Sequence, residues 1–225
     1  MRVLVSGANG FIGRHVVTAL KKASHDVITL DQPWYAFMDI AADITKPLSP
    51  IPGLDAVIHL AALANPRECD GNPSGAFDGN VNGTHQVLKM ALESGAKKVV
   101  FASSAHVYGI SPKYLPTDEI HPLWLQNNYT VTKILGEQLC QLYHNSHGLS
   151  YTVLRLYNVY GPGQMAGYFI PDMIAKARDG GINLPGGNTT KDFVFVEDVV
   201  QAFLLALQTP YVGHINIGTG VETEL

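Results

Sequence analysis

The sequence predicts an α/β protein built on a doubly wound parallel sheet. Short, continuous apolar runs, each about one strand long, alternate with helical stretches over the first 160 or so residues. Strands of that kind belong to parallel sheets covered by helices on both faces. The first such run, Val3-Leu4-Val5, passes into Ser6-Gly7-Ala8-Asn9-Gly10-Phe11-Ile12-Gly13 and then into a helical run from Arg14 to Lys22. Strand, glycine loop and helix in that order place a pyrophosphate on a helix N-terminus.

Within the loop, Gly7 permits the tight turn, Gly10 lets the backbone approach phosphates, and Gly13 lets the helix pack closely on the strand. The spacing is Gly-x-x-Gly-x-x-Gly rather than Gly-x-Gly-x-x-Gly, so its place between a strand and a helix supports the reading more than its pattern does. Asn9, Phe11 and Ile12 share the loop and are counted with the glycines as cofactor contacts.

The second strand, Asp26 to Asp31, ends in a carboxylate. At that place Asp31 can bind both hydroxyls of a ribose and would repel a 2′-phosphate, which favours NAD over NADP. Asp43-Ile44, within Ala42 to Thr45, suits the edge of an adenine ring. Asp55 to Ala62 reads as a further strand running through Leu60 into Ala61 and Ala62, where small side chains leave room for a ligand. Asn80-Val81-Asn82-Gly83-Thr84 opens a helix to about Ser94, with Val87, Leu88, Ala91 and Leu92 as its stripe and Gly95 as its stop.

Lys98 to Ala102 is another buried strand, which delivers Ser103-Ser104-Ala105-His106 to the same edge of the sheet. After a loop from Ser111 to Gln126 comes a helix containing Tyr129-Thr130-Val131-Thr132-Lys133. A tyrosine and a lysine four apart share one helix face. The ammonium is expected to favour the phenolate and so to prepare a general base near neutral pH. Alone this pair is a weak signal; beside a dinucleotide site it gains meaning.

Tyr151 to Leu156 is the next strand, leading into Tyr157-Asn158-Val159-Tyr160-Gly161-Pro162-Gly163. Beyond Gly163 the texture changes: a helix from Tyr168 to Arg178, then a stretch rich in Gly and Asn from Gly180 to Thr190, read as covering a substrate. Asp192 to Val196 is extended, Glu197-Asp198 is placed to cap a helix from Val199 to Gln208, and His214 to Gly218 reads as the last strand.

Composition narrows the class. Hydrophobic residues make up 46% of the chain, so a full core is available. A net charge of −4 with no basic block argues against a nucleic-acid surface. No apolar run reaches the length of a membrane span, and the start turns into the glycine loop too soon for a signal peptide, so a cytoplasmic protein is expected. Cys69 and Cys140 read as free thiols. Cys140, His144 and His147 share a helical face loosely but lack a fourth ligand, and no metal is expected.

Taken in order, Gly7-x-x-Gly10-x-x-Gly13, Asp31, Asp43-Ile44, His59-Leu60-Ala61-Ala62, Asn80 to Thr84, Ser103-Ser104, Tyr129-x-x-x-Lys133 and Asn158 to Pro162 resemble the extended short-chain dehydrogenase/reductase family, NAD-dependent epimerase/dehydratase branch. Sugar-nucleotide 4-epimerases acting on UDP-glucose are the nearest type. The resemblance implies a Rossmann domain, residues 1–162 and 192–219, holding NAD. It also implies a smaller, discontinuous and incomplete substrate domain, residues 163–191 and 220–225, with further chain beyond Leu225. Tyr129 corresponds to the catalytic base and acid. Lys133 corresponds to the residue holding the nicotinamide ribose, and Ser104 to the hydroxyl steadying the reacting sugar oxygen. Asn80 matches a contact near the nicotinamide; Ser103 and Tyr157 fall in the same cofactor set. Asn158 matches a contact near the diphosphate, with His106 and Lys191 also facing substrate. Net chemistry is implied as transient hydride transfer from sugar C4 through a 4-keto sugar, on a UDP-sugar, in a homodimer formed by the helices near residues 81–94 and 128–144.

Two departures qualify this. Dehydratases of the branch carry an Asp-Glu pair after the catalytic hydroxyl, where this chain has Ala105 and His106. Where many members have Arg-Asp, this chain has Lys191-Asp192, which keeps a cation but not a bidentate fork. A 4-keto-sugar reductase or sugar dehydrogenase would use the same Ser104, Tyr129 and Lys133, and a non-catalytic NAD-binding module is the remaining alternative.

Overall fold

A computed structural model describes residues 1–181 and 189–225. Strands β1 (Arg2–Ser6), β2 (Asp26–Asp31), β3 (Ile40–Ala41), β4 (Ala56–His59), β5 (Lys98–Ser104), β6 (Ser150–Leu156) and β10 (Gly213–Ile217) form one sheet. Their order is β10-β6-β5-β4-β1-β2-β3, and every pairing is parallel. The order reverses at β1, so the crevice between the β1 and β4 ends is the switch point where such sheets bind ligands.

The apolar runs are continuous because both faces are covered. Helices α1 (Phe11–Lys22) and α7 (Val196–Gln208) meet one face through Val16, Leu20, Val199 and Phe203, packed on Val3, Val5, Ile58, Val100 and Leu154. On the other face, α4 (Gly83–Glu93) and α5 (Asn128–His147) bring Val87, Leu88, Met90 and Cys140 against Leu4, Val57, Val99, Phe101 and Val153. Alternate residues of each strand serve opposite layers, as the two-residue period of a strand requires.

Smaller elements fill in the rest: α2 (Pro66–Gly71), α3 (Pro73–Phe77) and α6 (Phe169–Arg178), with a parallel pair of β7 (Asn158–Tyr160) and β9 (Phe193–Phe195). An antiparallel pair, β8 (Thr190–Lys191) and β11 (Thr223–Glu224), joins the two segments expected to face substrate. Part of the Gly- and Asn-rich stretch, residues 182–188, lies outside the described residues.

Several boundaries differ from expectation. Helix α1 begins at Phe11, because Gly10 is its extended N-cap (φ −65°, ψ 170°). Strand β4 stops at His59, and Leu60 to Ala62 already leave the sheet. The helix expected from Asn80 begins as a π-type turn, Asp78–Asn82, before α4. Helix α7 starts at Val196 with Phe195 as N-cap, so Glu197 and Asp198 sit in its first turn and do not cap it; there they complement the helix dipole. No helix among the described residues is long and apolar enough to cross a membrane.

Candidate active site

The glycine loop is closed to larger residues at two points. Gly7 turns at φ +71°, and a Cβ there would stand 2.7 Å from Ala61 N; a Cβ on Gly13 would stand 2.1 Å from Gly7 O. The loop, the start of α1 and Leu60 to Ala62 are therefore in backbone contact. Asp31, at the end of β2, accepts from Asn9 N at 2.7 Å and from Gln32 N at 2.8 Å. The Asn9 side chain has its Nδ2 buried with no partner. A backbone cradle that excludes Cβ atoms, an orphaned amide donor and a strand-end carboxylate fit the phosphates and ribose of a dinucleotide. Ile12, in the first turn of α1, is partly buried and packs against the core. Asp43 accepts from Thr45 N at 2.9 Å, which holds its carboxyl below the usual range. The Ile44 side chain is buried against Gly83, so it offers a ligand no apolar face.

Ser104, Tyr129 and Lys133 converge at the ends of β5 and α5. Helix α5 starts where it does because the Asn127 side chain accepts from Thr130 N at 2.9 Å, a standard N-cap arrangement. Tyr129, in the first turn, is buried against Leu63, Cys69 and Ala76. Lys133 donates from Nζ to Ala102 O at 2.9 Å. The electrostatics differ from the expectation drawn from helix spacing. Burial pushes the Tyr129 phenol up to about 12, with the neighbouring Ser104 hydroxyl opposing the rise. Burial also brings Lys133 down to about 8. Desolvation disfavours both charged forms, and in the protein alone it outweighs the attraction of ammonium for phenolate.

His106 stands edge-on to Tyr129, ring centroids 5.9 Å apart, and its backbone N–H donates to Ser104 Oγ at 3.2 Å. Burial, with Lys191 nearby, lowers the His106 imidazole below its usual value and so favours the neutral ring. Lys191 thus lies on the same side as the Ser104–Tyr129 pair. Asn158 donates from Nδ2 to Asp192 O at 2.9 Å, which ties β7 to the Lys191 segment.

Three residues expected at the cofactor have their polar atoms engaged by protein. Asn80 accepts from Leu63 N at 2.7 Å and donates to Leu63 O and Thr132 Oγ1, each at 3.0 Å. Ser103 donates to Glu137, and the Tyr157 hydroxyl bonds the Thr117 hydroxyl. Asn80 therefore holds the loop after β4 to the helix that carries Tyr129.

His59 belongs to the site's foundation, whereas the sequence places it in a strand and in the His59-Leu60-Ala61-Ala62 motif with no role of its own. Ser6 Oγ lies 2.7 Å from its Nδ1 and Thr84 Oγ1 lies 3.0 Å from its Nε2. Thr84 already donates to Asn80 O at 2.6 Å. The imidazole therefore donates from Nε2 and accepts at Nδ1. Burial, helped by Lys133, lowers its pKa to about 3. Its polar residue type within an otherwise apolar strand was the available signal.

A parallel α/β sheet with a dinucleotide cradle at its switch point, and a Ser–Tyr–Lys cluster beside it, defines a nicotinamide-dinucleotide enzyme of the short-chain type. The chain belongs to the NAD dependent epimerase/dehydratase family, which matches residues 3–218. A Methanocaldococcus jannaschii protein with a provisional UDP-glucose 4-epimerase name is 38% identical, over 99% of this chain and 78% of its own length. UDP-glucuronic acid decarboxylase 6 of Arabidopsis thaliana is 31% identical, over 99% of this chain and 70% of its own. Among solved structures, MoeE5 in complex with UDP-glucose and NAD superposes with a TM-score of 0.89 at 32% identity, covering 100% of this chain and 78% of that one.

Proposed function

We infer that this protein is a nucleotide-sugar 4-epimerase that uses NAD and acts on a UDP-sugar. The observation that supports this most is the meeting of Ser104, Tyr129 and Lys133 beside the dinucleotide cradle, with Ala105 and His106 rather than carboxylates after Ser104. NAD, when bound in the cradle, would supply the acceptor and donor for the hydride of sugar C4. Tyr129 takes the 4-hydroxyl proton as the carbonyl forms and gives it back as the alcohol re-forms. Ser104 donates its hydroxyl to the same oxygen, whose charge changes along the path. Lys133 holds the nicotinamide ribose. Asn158 and Lys191 serve the diphosphate, Lys191 as a point charge, and His106 faces the sugar. Among the described residues, 163–181, 189–191 and 220–225 form the substrate side of the cleft, and two chains pair through α4 and α5. Water elimination needs an acid and a base next to the reacting carbons, and neither residue after Ser104 is a carboxylate.

The decarboxylase relative supports a second reading. Oxidation at C4 of a uronic sugar, with bound NAD as the hydride acceptor and Tyr129 taking the 4-hydroxyl proton, would make a β-keto acid; carbon dioxide would leave C5, C5 would take a proton, and the hydride and the Tyr129 proton would return to C4 and its oxygen. Incubating the protein and NAD with UDP-glucose, UDP-galactose and UDP-glucuronic acid, with products identified by NMR and absorbance followed at 340 nm, separates the possibilities. Epimers without accumulating NADH support the proposal. Carbon dioxide release supports the second reading, and NADH formed in step with product points to a dehydrogenase. Bound NAD with no conversion of any sugar leaves a binding module.

A further inference from the structure

Tyr129, Lys133 and Glu137 recur every four residues on the face of α5 that meets β5. Each faces a different one of the last three residues of that strand. The Tyr129 phenol lies beside the Ser104 hydroxyl. Lys133 Nζ donates to Ala102 O at 2.9 Å, and Ser103 Oγ donates to Glu137 Oε1 at 2.5 Å. Glu137 is fully buried. Arg155 donates to both carboxylate oxygens, from Nε to Oε1 at 3.0 Å and from Nη2 to Oε2 at 2.7 Å. His214 Nε2, from β10, stands 3.3 Å from Oε2.

Arg155 also reaches outward. Its Nη1 donates to Tyr108 OH at 2.9 Å and to Glu119 O at 3.0 Å. Tyr108 donates in turn to Asn216 Oδ1 at 2.6 Å, and Asn216 Nδ2 donates to Thr117 O at 3.1 Å. One carboxylate thus ties the catalytic helix to β5, β6 and β10, and through Arg155 to the loop before α5.

A buried ion pair is a poor stabilising device, because apolar residues of similar volume often do as well or better. Its directional contacts supply position instead. An apolar helix face can slide along a strand; a carboxylate held by a hydroxyl and a two-pronged guanidinium cannot. We propose that Glu137, clamped by Arg155 and Ser103, is the positioning residue that sets the register of α5 against β5, and with it the separation of Tyr129 and Ser104. The proposal rests on the reading of those two as the proton-transfer pair. A shift of α5 along its axis by even one residue's rise, about 1.5 Å, exceeds the misplacement of about 1 Å that can cost roughly 10²-fold in rate.

Glu137→Gln and Ser103→Ala test this in NAD-loaded protein with 13Cζ-labelled tyrosine, the Tyr129 resonance being identified from Tyr129→Phe. Both variants are expected to displace the Tyr129 resonance. Glu137→Gln should lower kcat by roughly 10²-fold and Ser103→Ala by less, with KM little changed. Glu137→Gln leaves the Arg155 charge buried alone and can fail to fold. Ser103→Ala keeps the ion pair and decides the matter by itself. An unshifted Tyr129 resonance with wild-type kcat in folded Ser103→Ala overturns the proposal, even if the melting temperature falls. If the wild type turns over no UDP-sugar while the resonance still moves, the positioning stands and the functional reading fails.

Discussion

Tyr129 and Lys133 are one helical turn apart, yet the lysine Nζ lies nearer the ring of Phe101, 5.1 Å from its centroid, than that of Tyr129, 5.9 Å away. The ammonium is directed at Ala102 O rather than at the phenol. In the cofactor-free protein Tyr129 is accordingly a phenol, held up at about 12 by burial. A 13Cζ titration should show it un-ionised at pH 10, where an ordinary tyrosine is half ionised. Because the unfolded chain loses this proton first, the group withdraws stability as pH rises from about 10 toward 12. Ionisation below pH 9 without cofactor would mean that the phenol is not buried as described.

Tyr129→Phe should remove most turnover, by about 10² to 10⁴-fold, the usual worth of a positioned acid–base group. NAD affinity and melting temperature should stay near wild type, since the Tyr129 hydroxyl faces Ser104 and, among the described residues, makes no hydrogen bond into the fold core. Retained turnover would pass the proton transfer to His106, whose ring is edge-on to Tyr129.

Asp31→Ala should weaken NAD and narrow the preference against NADP. Hydrogen bonds to a charged group are worth about 1.5–3 kcal/mol, so a loss of roughly 10- to 100-fold in affinity is expected. Part of it reflects the loop, because Asn9 N loses its acceptor. Calorimetry with both cofactors checks this; equal affinities for wild type and variant would place Asp31 outside the ribose site.

His59 makes stability sensitive to acid. Its folded pKa is about 3 against 6.5 for the free side chain. The unfolded chain therefore takes up a proton first as pH falls from about 6.5 to 3, and stability is lost across that window. At about 1.4 kcal/mol per pH unit the full effect is of the order of 5 kcal/mol. His59→Gln can still accept from Ser6 and donate to Thr84. Its melting temperature should fall less steeply than wild type between pH 6.5 and 4, and parallel curves would contradict the buried neutral imidazole.

Much of the fold was legible because it rests on patterns of residue type. The runs around Val3, Ile58, Val100 and Val153 are apolar on both faces, and only a covered parallel sheet accommodates that. Gly7 and Gly13 were legible because backbone geometry demands them. Glu137 and Arg155 were not. Each looks like a chance charge in its own segment, and the partner that satisfies it sits on a different element. The pairs β7–β9 and β8–β11 involve strands of two or three residues, too short for any period to register. The Tyr129 environment was misjudged for a related reason: helix spacing gives the distance to a charge, whereas burial depends on Leu63, Cys69 and Ala76, which come from elsewhere in the chain.

In the proposed reaction one hydrogen leaves C4 of a UDP-sugar and returns to the same carbon from the other side. UDP-[4-2H]glucose incubated with the protein and NAD, with NMR of the products, tests it directly. UDP-galactose with deuterium retained at C4 and no accumulation of NADH is the expected result. Galactose product that has lost the label to solvent, or a C4 configuration left unchanged while NADH builds up, would contradict it.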